Sequence, residues 1–259
     1  MKPSTFVPGA VDYDGAMSRD FNAGRALSPD SLTVWRAAFE PYLAHARHIV
    51  DVGSGTGRFA VLMAEWFGAL VIGVEPARGM RDVAVALGRH PRVSYVGGRA
   101  EQLPLRDQSS SVFVLSNVYH HIVDRGASAR ELQRVLPIGG RALIRGAFGD
   151  RLGEITLFDH FPEAKTVCEQ FPALEETVET FTASGFECEA VERIVQRTCG
   201  SLAELAARTR LRADTTLALM TDEAFAIRQA ALDRAAALET EATPVVDTLD
   251  LLVLRKVAD

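Results

Sequence analysis

Two stretches of the chain place chemically capable residues at a defined spacing. The first is Asp51-Val52-Gly53-Ser54-Gly55-Thr56-Gly57, set between a β-branched run (Ile49-Val50-Asp51-Val52) and a segment of helical periodicity. Three alternating glycines let the backbone turn tightly and approach a ligand with no Cβ in the way. The helix that follows offers its N-terminal N–H groups and positive dipole end to a polar group. Glu75 ends the next strand, 22 residues after Gly53. In nucleotide-binding folds an acid at that place accepts hydrogen bonds from both ribose hydroxyls. The dinucleotide pattern G-x-G-x-x-G asks for glycine where Arg58 stands, and does not ask for Asp51 two residues before the first glycine, so a nicotinamide dinucleotide is disfavoured.

The second stretch is His120-His121, just past a fourth strand, at the carboxyl edge where open α/β sheets bind ligands. Histidine titrates near neutrality and can take a proton, so His121, and after it His120, are candidate bases. Glu154, Asp159 and His160 lie in a Phe-rich segment after the fifth strand that would overhang an acceptor pocket; the alternative is a solvated loop face. Arg208, Arg210 and Arg212 form a small basic cluster that can meet an acidic substrate or simply be a solvated helix face.

The elements that must position these residues follow from periodicity. Short apolar strands are expected at 49–52, 70–74, 93–96, 112–115 and 141–147, each continuous enough to be covered on both faces. Between them Phe59, Leu62, Met63, Trp66 and Phe67 mark one helix face, Met80, Val83, Ala84 and Leu87 another, and about 127–136 a third. This alternation predicts right-handed βαβ units and a doubly wound α/β fold with a mostly parallel seven-stranded sheet. Further elements are a helix through Leu174, Val178 and Phe181, a strand at about 187–197 and a last strand at 249–254. Between those two strands lies a helical insertion at about 201–241, opened by a capping box, Ser201 to Glu204, and expected over one edge of the sheet. Residues 1–45 form an accessory helical segment ahead of an α/β domain at 46–259, with a helix opened by Ser28-Pro29.

Composition bounds the partners. Hydrophobic residues make up 47% and charged residues 24% of the 259, which fits a folded globular chain. With 28 Lys+Arg against 34 Asp+Glu the net charge is −6, so no basic field is offered to nucleic acid. Three cysteines without C-x-x-C suggest neither a disulfide framework nor a cysteine zinc site, and no metal is expected. The N-terminal residues lack the apolar core of a signal peptide, and no stretch reaches the roughly 20 apolar residues of a membrane span. A soluble, cytoplasmic protein with a small-molecule substrate is expected, either monomer or homodimer.

The ordered set Asp51 to Gly57, Gly73-Val74-Glu75-Pro76 with Met80, and Gly98-Arg99-Ala100-Glu101-Gln102-Leu103-Pro104-Leu105 resembles the class I S-adenosylmethionine (SAM)-dependent methyltransferases. It is most similar to the branch with quinone-biosynthesis and natural-product small-molecule enzymes, over about residues 47–148, with Asp250 to Leu254 like that fold's last strand. The resemblance implies SAM as cofactor and S-adenosylhomocysteine as product. Gly53, Ser54, Gly55 and Gly57 would line its methionine part, with Asp51 near the amino group. Glu75, followed by Pro76, would hold the ribose. Met80 would pack on the adenine, unless it is only the core stripe of its helix. Ala100 and Glu101 would meet the adenine end, and Asn117 the methionine end. Tyr13, Phe21 and Arg25 resemble the Tyr…Tyr…Arg of an N-terminal lid over the cofactor; the alternative is a surface-packed helix. In that branch a His-His pair often has only a structural role.

Three departures stand out: Arg99 replaces the acid that meets the adenine amino group, Ser110-Ser111 replaces Phe-Asp, and Pro137-Ile138-Gly139-Gly140 replaces Lys-Pro-Gly-Gly. The expected reaction is methyl transfer to O, N or C of a small, apolar or aromatic acceptor. The rivals are a catalytically silent SAM-binding regulator or scaffold and a nicotinamide-dependent oxidoreductase.

Overall fold

The structure, a computed structural model, describes residues 6–258. Its centre is a seven-stranded sheet in the order β3-β2-β1-β4-β5-β7-β6. The strands are β1 (His48–Val52), β2 (Leu70–Val74), β3 (Val93–Val96), β4 (Val112–Ser116), β5 (Arg141–Gly146), β6 (Phe186–Cys199) and β7 (Val245–Lys256). The first five run parallel, while β7 is antiparallel to both β5 and β6. The order reverses direction at β1, where β2 lies on one side and β4 on the other, which is where such sheets open a crevice at their carboxyl ends.

Both faces are covered, so alternate residues of one strand enter different cores. Val112 and Val114 of β4 pack with Leu143, Leu251 and Val253 against α2 (Pro29–Leu43) and α3 (Arg58–Phe67) through Trp35, Phe39, Phe59 and Met63. Phe113 and Leu115 face the other way, with Ile144, Leu252 and Leu254, onto α5 (Arg125–Val135) and α8 (Leu174–Thr182). Such side chains contribute about 1.5–3 kcal/mol each when fully buried, which is why these strands are apolar without interruption. The helix α4 (Arg78–Leu87) packs beside β3 and against the N-terminal segment.

Two helix starts carry the caps their sequences announce, Ser28 accepting from Ser31 N at 3.2 Å and Ser201 from Glu204 N at 3.1 Å, and Asp124 adds a third, accepting from Ala127 N at 2.8 Å. The expected box at Ser201 closes differently, because Glu204 accepts from Gly200 N at 2.7 Å.

Outside the sheet, α1 (Ala16–Gly24) belongs to the N-terminal segment, and α6 (Leu157–His160) and α7 (Pro162–Cys168) lie in the Phe-rich segment, which showed no clean period. The insertion holds α9 (Leu202–Thr209), α10 (Thr215–Ala218) and α11 (Asp222–Ala237). It does more than lie over a sheet edge. Leu205, Leu217, Met220 and Leu232 form a separate apolar cluster with Phe161 and Ala164, and Asp214 to Thr216 reach the carboxyl ends of the strands. The last two strands run longer than their apolar stretches suggest, because β6 and β7 extend as a ribbon to carry this insertion.

Phe181 of α8 is fully buried, 5.3 Å centroid to centroid from Phe186. Phe181→Ala is expected to cost about 3–5 kcal/mol through the cavity it leaves; the lowered midpoint of chemical denaturation measures it.

Candidate functional site

The turn from β1 into α3 builds one wall of the site. Gly53, Gly55 and Gly57 all have positive φ, at 66°, 55° and 78°, a region that L side chains rarely enter. A Cβ on Gly53 would lie 2.2 Å from Val118 Cγ2, whereas one on Gly55 would meet nothing within 4 Å, because Gly55 borders open space. Gly53 N and Ser54 N both donate to Val74 O, at 2.7 and 3.2 Å, which ties the turn to the end of β2. Glu75 then accepts from Gly55 N and Ala77 N, each at 2.9 Å.

Two buried carboxylates therefore sit side by side. Asp51 is 1% exposed and its Oδ2 has no hydrogen-bond partner; the Ser54 hydroxyl is likewise unpartnered. Burial first, and the nearby Glu75 charge second, push Asp51 up to about 8, with only the Ala60 N–H pulling it down. Burial also raises Glu75, against its two backbone hydrogen bonds.

The wall opposite comes from β4 and the N-terminal segment. Asn117 takes a left-handed φ of 53° just after β4, a conformation that asparagine tolerates better than most residues. His120 and His121 follow in a short 3₁₀ turn. His120 is buried and stacks on Phe171, with centroids 4.0 Å apart, and burial holds its pKa well below 6.5. His121 Nε2 lies 3.0 Å from the Tyr13 hydroxyl and 3.1 Å from Thr215 Oγ1, and those two oxygens are 3.0 Å apart. Burial lowers His121 to about 4, so it is neutral at pH 7, and its Nε2 shares a hydrogen bond with the hydroxyls of that triangle. Burial raises Tyr13 to about 12.

The N-terminal segment bridges the sheet and the insertion. Arg25 pairs with Asp214, Asp14 accepts from Gly79 N at 2.6 Å, and Thr56 donates to Asn22 at 2.5 Å. Beneath it lies a cavity of about 260 Å³.

Of the residues singled out by sequence, Asp51, Gly53, Ser54, Gly55, Glu75, Pro76, Met80, Asn117, His120, His121, Tyr13, Phe21 and Arg25 all border this one cavity. Six others do not. Gly57 is the N-cap of α3 and lies against Tyr95, whose hydroxyl a Cβ there would strike at 2.1 Å. Ala100 is packed in the core below, and Glu101 accepts from Val123 N at 3.1 Å, bracing the approach to α5. Glu154, Asp159 and His160 lie outside the cavity wall, which the same segment lines with Ile155, Leu157 and Phe158 instead. Short helical turns direct the apolar side chains inward, and Glu154 and Asp159 are exposed. Arg99 is exposed too, so the departure there leaves no guanidinium in the cavity.

The basic cluster of the insertion is structural. Arg208 pairs with Glu204, Arg210 with Asp233 at 2.8 Å and Arg212 with Asp222 at 2.6 Å. Sequence reasoning passed over Arg145, Gln196, Asp214, Thr215 and Asp247, all of which line the cavity. Arg145 had a signal, a charge at the end of the otherwise apolar run Ala142-Leu143-Ile144.

His121 gives a test of this geometry. A histidine lowered from 6.5 to about 4 contributes stability that is fully present above 6.5 and lost as pH falls toward 4. The loss is about 3 kcal/mol at most. His121→Asn is expected to flatten that part of the acid limb, read as the pH dependence of the denaturation midpoint of wild type and variant.

Residues 50–144 match the family model described as a methyltransferase domain. A ubiquinone/menaquinone biosynthesis C-methyltransferase of Rubrivivax gelatinosus is 37% identical over 112 residues, 42% of this chain and 44% of that protein. The chain thus spans less than half the length of that curated relative. Among solved structures, a putative methyltransferase from an antibiotic biosynthesis pathway of Anabaena variabilis aligns with a TM-score of 0.70 at 22% identity, over 90% of this chain and 99% of that one. The [4+2]-cyclase SpnF aligns with a TM-score of 0.66 at 18% identity, over 99% of this chain and 100% of that one. At these identities the two structures establish the fold.

Proposed function

We propose that the chain is a class I SAM-dependent methyltransferase, which transfers the methyl group of SAM to O, N or C of a small, apolar or aromatic molecule. The observation that carries the reading is the unpaired, buried Oδ2 of Asp51 on the wall of the cavity that Glu75 and the glycine turn also line. An isolated buried carboxylate is costly unless a cation meets it. The α-ammonium of an amino-acid cofactor is such a cation.

The rest of the wall fits the same group. Glu75 keeps acceptor capacity beyond its two backbone hydrogen bonds for a pair of vicinal hydroxyls. Gly55 leaves its approach free of side-chain atoms, Ser54 has an unused hydroxyl, and Met80 offers a buried apolar flank. When bound, SAM supplies an electrophilic methyl on a sulfonium that is already a good leaving group.

The protein's part is then to align a nucleophile and exclude water. Residues 6–45, the described part of the N-terminal segment expected at 1–45, act as a lid in this reading, residues 1–5 lying outside the described residues: Tyr13 and Arg25 fasten it to His121, Thr215 and Asp214 over the cavity. His121, neutral and engaged with Tyr13, serves as a hydrogen-bond partner that fixes the closed lid rather than as a strong base. Alignment therefore carries the rate, and the proton displaced from the methylated atom leaves to solvent after transfer, when the lid opens.

The second reading is a catalytically silent chain that binds SAM without transferring its methyl. Turnover of labelled SAM against an acceptor panel separates the two.

Two measurements check the cofactor site. Glu75→Ala is expected to weaken S-adenosylhomocysteine binding about 10-fold or more, since a hydrogen bond to a charged group is worth roughly 1.5–3 kcal/mol. Unchanged calorimetric affinity in the folded variant would remove the ribose assignment. Asp51, at about 8 in the free protein, is protonated at pH 6 and becomes a carboxylate when an ammonium arrives. Binding at pH 6 should release close to one proton, seen as a dependence of the binding heat on buffer ionisation enthalpy, and Asp51→Asn should abolish it.

A further inference from the structure

The far side of the cavity carries a charge that the cofactor reading does not use. Arg145, near the end of β5, shares a face with Leu143, Trp35 and Phe59 and is 2% exposed. Its guanidinium lies 4.2 Å from the Trp35 ring centroid and 5.0 Å from that of Phe59. Nη1 donates to Ser116 Oγ at 3.1 Å and Nη2 to Gln196 Oε1 at 2.8 Å, an oxygen also held by Trp35 Nε1 at 2.7 Å. Arg145 Nε is buried and has no partner. Among the described residues no carboxylate lies within ion-pair distance of it.

The neighbouring charges do not compensate. Arg58, at the start of α3, donates to the Arg25 carbonyl, and its Nε is also buried and unpartnered. Asp214 is committed to Arg25. Asp247 accepts from Thr198 Oγ1 at 2.5 Å, and burial raises its pKa, which favours the neutral acid. A guanidinium sealed among neutral acceptors and aromatic rings bears a large uncompensated desolvation cost. Its planar fork pairs bidentately with a carboxylate or a phosphate, and of the two the singly charged carboxylate suits this apolar-lined cavity better.

We infer that Arg145 anchors a carboxylate of the methyl acceptor, so that the substrate class is a small aromatic or apolar carboxylic acid. The inference rests on the methyl-transfer reading above and deepens it. Topology separates this anchor from the cofactor wall: Asp51 and Glu75 end β1 and β2, β4 intervenes, and Arg145 is on β5 with Gln196 on β6. Arg58, which directly follows the glycine turn, would be the arginine to meet a cofactor carboxylate. Phe59, Leu249, Ala147 and Phe158 supply the apolar surface around the acid's hydrocarbon part.

The test is calorimetric titration of benzoate and trans-cinnamate beside their neutral amides, with and without saturating S-adenosylhomocysteine, on wild type, Arg145→Gln and Arg145→Lys. Wild type is expected to prefer acid over amide by at least 10-fold. Arg145→Gln should lose that preference while its S-adenosylhomocysteine affinity stays within about twofold, and Arg145→Lys should keep part of it. Ligand-free Arg145→Gln should melt no lower than wild type, because an unpaired buried charge has gone, whereas a merely structural arginine would lower the melting temperature.

Equal binding of acid and amide by wild type overturns the inference, and that comparison needs no variant to fold. So does a retained preference in Arg145→Gln. A variant that loses S-adenosylhomocysteine instead assigns the guanidinium to the cofactor's carboxylate and overturns it as well. Wild type that binds the acids but not S-adenosylhomocysteine leaves the anion site standing and removes the methyl-transfer reading, so the two failures are distinguishable.

Discussion

The hydrogen bonds from Gly53 N and Ser54 N to the Val74 carbonyl are what the site hangs on. They fold the exit of β1 over the exit of β2, in space left by two missing Cβ atoms: Gly53 lies under Val118, and Gly73 lies beside Ser54 and Tyr95. That closeness brings Asp51 and Glu75 into one buried neighbourhood, where the charge of Glu75 makes that of Asp51 more costly. The free protein thus stores electrostatic tension at the crevice. A cationic, hydroxyl-rich ligand relieves it, and a neutral apolar one does not.

The two ends of the crevice differ in sign. Acids end β1 and β2, while guanidinium groups gather at β5 and the start of α3. Between them stands the neutral pair His120-His121, kept uncharged by burial beneath Phe171 and Tyr13. A cavity polarised in this way orients any molecule that carries both a cation and an anion, and it discriminates between two ligands that carry one each.

The sheet was legible in sequence because its strands are buried on both faces and are therefore continuously apolar, as in Val112 to Leu115. The glycine turn was legible because its conformation admits almost nothing else. What stayed hidden depends on long-range placement. Arg145 reads as the polar end of a strand until Trp35, 110 residues earlier in the chain, is seen beneath its guanidinium. Asp214 and Thr215 sit in a helical insertion whose docking onto α6 and α7 leaves no periodic trace in the short turns involved. Glu154, Asp159 and His160 drew notice by residue type, but one-turn helices turned Leu157 and Phe158 inward in their place. Local periodicity cannot decide such a choice.

The N-terminal segment and the insertion lie outside the matched domain at 50–144, yet they grip each other: Arg25 with Asp214, Tyr13 with Thr215, and Arg208 on the Ala26 carbonyl at 2.6 Å. Gly24 is packed so tightly on the insertion that a Cβ there would lie 2.5 Å from that of Ala213. These two segments, nearly two hundred residues apart in the chain, form one matched pair, like a key and the ward cut for it. A chimaera that exchanged either one alone between related chains would inherit a mismatched fastening. The unit that closes one side of the cavity in this architecture is the pair.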